Sequence, residues 1–289
     1  MPGFVVVNPH SGPDETSTDD VAAVFPGSTV EEMDKEVKKQ LEAGVAAGSP
    51  DFLAVAGGDG TIRCAAGVVA GTDLPLLPIP AGTRNHFAKE VGIATLEAAA
   101  AAAASGGEIR LIDIGEVNGE AFINNANVGA YPRIVRDREV HQKRFSKQTA
   151  TLVATWAALR NLHKFSVTVD DGPTYRTWMV FVGNGVYGTS LFDVGVRETL
   201  DDGLLDVRIM RADRRLARLR IAARLLVGKV ADSPMAEFHE ASSIELGFTK
   251  AKIDVALDGE LITMSTPLRF ICRPKSLRVL VPTPEAAAD

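Results

Sequence analysis

The chain has 289 residues, 46% of them hydrophobic and 24% charged, with a formal net charge of -6. That composition belongs to an ordinary globular protein with a sizeable core, not to a disordered chain, and its acidic balance argues against a general nucleic-acid binder. At roughly 100–200 residues per domain, the length fits two domains or one large one. The two cysteines, Cys64 and Cys272, lie far apart with no metal-type spacing, which predicts reduced thiols and a cytosolic setting. The first residues, MPGFVVVNPHSG, are too short and unflanked for a signal peptide. No stretch reaches the roughly 20 apolar residues that span a bilayer.

Along the chain, a short apolar run at residues 4–7 precedes a polar, turn-rich stretch at 8–20. A helix is predicted over about 30–47, with Ser28 or Thr29 near its cap. Residues 52–56 read as a buried parallel strand, ending in the glycine-rich stretch 57–61, with a short helix through Val69. Residues 74–79 form the next predicted strand, and 80–85 turn into a helix over 87–91. A further helix covers 95–104, where an alanine run sits between Glu97 and Ser105. Such alternation predicts an open α/β sheet, whose ligands sit in loops at the carboxyl ends of its strands.

After about residue 110 the chain becomes β-rich. Runs at 122–128, 165–170, 178–182, 204–209, 253–257 and 268–272 read as strands, and helices are predicted at 149–162 and 214–227. The boundary is placed near Asn118, giving domains 1–118 and 119–289, with a return of the C-terminal segment to the first domain left open. There is no obvious internal repeat.

The strongest local signal is Gly57-Gly58-Asp59-Gly60-Thr61, directly after a strand. Glycines allow a sharp turn and close backbone approach. Consecutive N–H groups in such a turn form a nest for phosphate oxygens, and a following helix adds its positive end. Asp59 repels bare phosphate and makes sense beside a bridging Mg²⁺; the plain alternative is a glycine turn with Asp59 as helix cap. A second loop, 80–88 (PAGTRNHFA), repeats the strand–turn–helix pattern. There Gly82 makes the turn, Thr83 offers a hydroxyl, and Asn85 serves as cap or ligand contact. A third, Asn8-Pro9-His10-Ser11-Gly12, offers Ser11 and Gly12 as further phosphate donors. Two glycine loops after adjacent strands point to one shared crevice.

In that order, VVVNPHSG, GGDGT, PAGTRNHFA, DDGLLD and DGE resemble the diacylglycerol kinase catalytic family, a superfamily that includes bacterial lipid kinases, sphingosine kinases and ceramide kinases. The resemblance covers nearly the whole chain. It implies an N-terminal open α/β nucleotide-binding domain, similar to those of NAD kinases and diacylglycerol kinases, followed by a C-terminal β-rich sandwich that completes a lipid site. It implies ATP as co-substrate, bound by Asn8, Ser11, Gly57, Gly58, Asp59, Gly60, Thr61 and Thr83, with Asp59 organising magnesium. It implies that Glu260, in Asp258-Gly259-Glu260, is the general base taking the acceptor's proton. Read alone, DGE between strands is a hairpin turn. The loop 200–206 matches a structural Mg²⁺ loop in which Asp202 offers its carboxylate and Thr199 and Leu204 their carbonyls. Asp113 matches an interdomain aspartate, to be read as part of the magnesium–water network or as a strand-end cap. Asn124, Asn125 and Asn127 either line the cleft or satisfy backbone groups.

Two departures stand out. His86 replaces an aspartate that many relatives carry, and an imidazole cannot stand in for a carboxylate at magnesium. Arg63 replaces an asparagine, and either pairs with phosphate or lies on the helix surface. Arg208, Arg211, Arg214, Arg215, Arg218, Arg220 and Arg224 form a basic cluster, with Leu216, Leu219, Ala223 and Leu226 at helical spacing. Its basic face either docks on anionic headgroups or is simply solvated, with the leucines in the core. The expected activity is ATP- and Mg²⁺-dependent phosphorylation of a lipid hydroxyl, with diacylglycerol as the default acceptor, by a cytoplasmic protein meeting its lipid transiently at the membrane surface. A homodimer is left open. The competing readings are an NAD kinase-like enzyme and a catalytically silent nucleotide- or lipid-binding module.

Overall fold

A computed structural model describes residues 1–12, 16–129, 163–188, 197, 199–213 and 236–283. The helices expected at 149–162 and 214–227 lie outside these residues. The N-terminal part is built on β1 (Gly3–Val7), β3 (Phe52–Gly57) and β4 (Leu76–Pro80), which pair in parallel and are buried almost throughout. Uninterrupted apolar runs such as Phe4–Val7 and Phe52–Ala56 suit strands covered on both faces.

Two local expectations change. Residues 29–32, expected to start a helix, form β2 (Thr29–Glu32), which pairs with the outer edge of β1 from Phe4↔Thr29 to Val7↔Glu32. Backbone groups on that edge of β1 need partners, and the mostly exposed, acidic β2 supplies them while presenting charge at the sheet edge. The helix α2 begins only at Val37 (Val37–Gly48). Within the stretch expected to be turns, α1 (Thr18–Val24) forms because the Ser17 side chain accepts from Asp20 N–H and Asp19 and Asp20 lie at the positive helix end. It has only seven residues and fully buries only Val21, which left little periodic signal.

Helix α3 (Asp59–Val69) follows β3, and α4 (His86–Glu90) follows β4. Helix α5 (Leu96–Ser105) is capped by the Thr95 side chain and ends at Gly106, whose φ of 80° favours glycine. Strand β5 (Glu108–Val117) then leads into β6 (Glu120–Phe122) and β7 (Asn125–Gly129). The remaining strands are β8 (Phe165–Val169), β9 (Thr174–Asn184), β10 (Leu205–Arg211), β11 (Ala236–Ala241), β12 (Ser243–Phe248), β13 (Lys252–Leu257), β14 (Glu260–Ser265) and β15 (Leu268–Val281). Their main path runs β14-β13-β7-β9-β8-β12-β15 and continues β4-β3-β1-β2. The first stretch is antiparallel, and the second is parallel from the β15–β4 contact onward.

The antiparallel pair β5–β15 is the spine shared by both halves. Its Ile112, Ile114, Leu277, Val279 and Leu280 are buried with the helices and parallel strands. Val117, Leu268, Phe270 and Cys272 of the same two strands belong to the second core, among Phe122, Val180, Val207 and Leu257. A register shift between Arg273 and Leu277 separates the two stretches. The fold is thus the α/β half followed by a β-rich half that the sequence implied. Among the described residues no helix is long and apolar enough to cross a membrane.

Candidate active site

Three loops at the carboxyl ends of β1, β3 and β4 meet. Gly57 accepts a backbone hydrogen bond from Ala81 at 3.3 Å, tying the loop after β3 to the loop after β4. A Cβ on Gly82 would lie 2.5 Å from Gly58 Cα, and one on Gly12 would lie 2.5 Å from the Ala81 carbonyl oxygen. These glycines are therefore required by backbone-to-backbone contact. Asn8 donates from Nδ2 to Thr61 Oγ1 at 3.2 Å, fastening the first loop to α3. Ser11 is buried beside it, its N–H donating to the Asn8 carbonyl. The N–H groups of Asp59, Gly60 and Thr61 form the first turn of α3, where no helical carbonyl precedes them.

Asn85 does not cap α4. Its side chain closes on its own loop, accepting from Gly82 N–H and donating to the Gly82 carbonyl, both at 2.8 Å, which holds the residue in the left-handed region at φ 52°. The cap comes instead from Asp59, whose Oδ2 accepts from His86 N–H at 3.2 Å and Oδ1 from Phe87 N–H at 3.1 Å. Asp59 thereby links both glycine loops. Thr83 and His86 are exposed at this rim.

The turn between β13 and β14 brings Glu260 to the same place. Asp258, at φ 48°, turns its carboxylate inward to accept from Ile123, Asn124 and Asn125 N–H at 2.8, 2.8 and 2.9 Å. Burial pushes this carboxyl up to about 6, although the three N–H groups and the charge of Arg63 pull the other way. Next to this clamp, Glu260 reaches α3 so closely that a Cβ on Gly60 would meet its Oε1 and stand 2.7 Å from its Cδ. The GGDGT and DGE motifs are thus adjacent.

Arg63 does not lie on an exposed helix surface. It is 6% exposed, and its Nη2 donates to Glu260 Oε2 at 2.8 Å, while Nη1 reaches the Ala121 carbonyl at 3.4 Å. Burial opposes the guanidinium's charge, but the hydrogen bond and charge of Glu260 outweigh it and raise its pKa. The sequence held one signal for this role: Arg63 stands four residues after Asp59 and so shares its face of α3.

The acidic loop lies apart from these motifs. Asp202 Oδ2 accepts from Val186 N–H and the Thr199 hydroxyl, and Oδ1 from Leu204 N–H. The Leu204 carbonyl accepts from Gly185 N–H at 2.9 Å. Gly185 has φ 85°, and a Cβ there would lie 3.4 Å from the Thr199 carbonyl oxygen and 3.6 Å from Asp202 Oδ2, filling the space those oxygens share. Among the described residues no cluster of three or more His, Cys, Asp or Glu could hold a metal. An ion at this loop would therefore take one carboxylate, carbonyls and water, a donor set that fits Mg²⁺. Asp113 is buried, with Oδ1 accepting from Lys275 N–H and Oδ2 from Gly203 N–H, and so braces this loop against β15. Burial, together with the charges of Asp113 and Asp202, pushes the nearby Cys272 thiol up to about 12. Both Cys64 and Cys272 are unpaired thiols.

Sequence reading missed a buried node behind the cleft. Arg197 pairs with Glu90 at the end of α4, and its Nη1 donates to the Ile123 and Asn184 carbonyls at 2.8 and 2.6 Å. Asn124 offers its backbone carbonyl to the Tyr187 hydroxyl and to Asn184 N–H, and the Asn127 side chain donates to that of Asn125 at 2.7 Å, so these contacts place no asparagine side chain on a backbone group. Of the basic cluster, Arg208 is buried against Asp206 and Arg211 pairs with Asp213 and Glu237; the others lie outside the described residues. Arg208 and Arg211 therefore do not form an unpaired basic face.

Residues 2–117 match the model of the diacylglycerol kinase catalytic domain, and residues 129–281 that of the YegS C-terminal NAD kinase beta sandwich-like domain. The chain belongs to the diacylglycerol kinase family. It is 30% identical to a Pseudomonas fluorescens protein named Probable lipid kinase YegS-like, over 86% of this chain and 82% of that one. It is 29% identical to a diacylglycerol kinase of Bacillus subtilis, over 82% and 79%. A crystal structure of a diacylglycerol kinase from Bacillus anthracis superposes with a TM-score of 0.66 at 20% identity, covering 99% of this chain and 98% of that one, which establishes the shared fold. As a member of this family the protein is a lipid kinase, a phosphotransferase with an alcohol acceptor.

Proposed function

We propose that this lipid kinase transfers the γ-phosphoryl group of ATP to the hydroxyl of diacylglycerol, giving phosphatidic acid and ADP, with Glu260 as general base. The observation that carries this reading is the placement of Glu260 against Gly60, next to Asp59, in a cleft lined by three glycine-bearing loops. Backbone N–H groups of the 57–61 turn, with Ser11, Gly12 and Thr83, would hold the phosphates, whose charge the N-terminus of α3 favours. Glu260 accepts the hydroxyl proton as the new O–P bond forms and the bond to the ADP oxygen breaks. When bound, magnesium supplies neutralisation of phosphate charge. Asp59, with one N–H on each oxygen and lone pairs to spare, is the carboxylate that would hold it. Asp202 and the carbonyls of Thr199 and Leu204 would hold a second, structural ion. The acceptor would be met at a membrane surface, because its chains are insoluble. The test is incubation with labelled ATP, Mg²⁺ and vesicles containing diacylglycerol, with NAD offered separately. Labelled phosphatidic acid that falls at least ~100-fold with Glu260→Gln supports the reading. Label appearing on NAD or on another lipid alcohol instead rejects the acceptor.

A further inference from the structure

Glu260 stands on an exposed turn with its side chain about half exposed, and Gly259 before it offers no support. A glutamate so placed has three side-chain torsions to lose before it can act from one position. Arg63 supplies the restraint. The guanidinium is held from behind: it is 6% exposed, springs from the middle of α3, and reaches the Ala121 carbonyl with Nη1. Its Nη2 fixes Glu260 Oε2 at 2.8 Å. Oε1 then becomes the oxygen that faces Gly60, the residue after Asp59. The two carboxylate oxygens are thereby given different tasks.

We propose that Arg63 is a positioning residue, which pins Oε2 so that Oε1 is the atom presented to the acceptor hydroxyl. This rests on the assignment of Glu260 as base. Arg63 does not grip the nucleotide, because its guanidinium is buried and both Nη groups point to Glu260 and Ala121. A buried arginine suits this work, since a charge-assisted N–H···O bond from a fixed donor holds the one carboxylate oxygen it meets.

The test compares Arg63→Met, Arg63→Lys, Glu260→Gln and the Arg63→Met/Glu260→Gln double variant, each checked for folding by thermal melting and assayed with ATP and diacylglycerol vesicles. Arg63→Met is expected to lower kcat by ~10–100-fold with KM for ATP within about twofold, as misplacement of a reacting group does. Arg63→Lys is expected to recover part of kcat. In the Glu260→Gln background, removing Arg63 is expected to leave the residual rate within about twofold, because the two act as one unit. A loss confined to KM for ATP, no recovery with lysine, or an equal fractional loss in the Glu260→Gln background would each overturn the proposal while leaving the base assignment intact. Full activity of Glu260→Gln would remove the base assignment and the proposal together. If Arg63→Met does not fold, Arg63→Gln, which keeps a donor for the Ala121 carbonyl without the charge, takes its place under the same criteria.

Discussion

Gly58 and Gly82 look equivalent in the sequence, each in a glycine loop after a strand, yet their surroundings predict opposite tolerance of alanine. A Cβ on Gly82 would lie 2.5 Å from Gly58 Cα and 2.9 Å from Asn85 Oδ1. The first contact is to backbone and cannot be relieved by a rotamer change. The loops must part by about half an ångström or more, a strain on the order of 1–3 kcal/mol. Parting them also stretches the 3.3 Å bond from Ala81 N–H to the Gly57 carbonyl and the two N–H bonds to Asp59. A Cβ on Gly58 would find Gly82 Cα at 3.7 Å, ordinary contact, and the Gly58 backbone at φ -81°, ψ 176° suits alanine. Gly82→Ala is therefore expected to lose ~1–3 kcal/mol of stability and ~10–100-fold in kcat/KM for ATP. Gly58→Ala is expected to keep stability within about 1 kcal/mol. Thermal melting with and without ATP, alongside steady-state turnover, reads both. Equal losses in the two variants, or a Gly82→Ala protein with unchanged melting and turnover, would refute the reasoning.

Two further outcomes follow from the buried charges. Glu90→Ala strands the Arg197 guanidinium, whose side chain is 1% exposed, and is expected to cost ~3–5 kcal/mol by denaturant titration; a loss under about 1 kcal/mol would show that the pair does not support the fold. The Asp258 carboxyl, pushed from 3.8 up to about 6 by burial, binds its proton more tightly folded than unfolded. Its contribution is fully present below pH ~4 and is lost as pH rises through ~6, up to ~3 kcal/mol in all. Relative to Asp258→Asn, the parent protein should therefore lose stability between pH 4 and 7, and a flat difference over that window would contradict the assignment.

The described structure carries its chemistry in two kinds of feature, and they differ in how they can be read. The glycine loops, the buried strands at 4–7 and 52–56, and the helix after Asp59 are contiguous segments. Hydrophobic runs and turn residues mark such segments directly, which is why the α/β half and its glycine loops are legible without coordinates. The edge strand β2 was not, because Thr29–Glu32 has no apolar run and becomes a strand only through the unpaired edge of β1. The seven-residue α1 was hidden for the same want of periodic burial.

The sequence alone determined which residue types were available: carboxylates and glycines in short motifs, and an arginine four residues after Asp59. Only the tertiary structure decided their partners. Arg63 and Glu260 are 197 residues apart in the chain, Asp258 is 133 to 135 residues from the N–H groups it holds, and Glu90 is 107 from Arg197. These pairings exist because the β5–β15 ladder runs through both cores and carries the β13–β14 turn back to the start of α3. Local propensity acts over a few residues and leaves no trace of such a return. The Arg63–Glu260 contact joins a guanidinium that the completed fold buries to a carboxylate that it leaves half exposed.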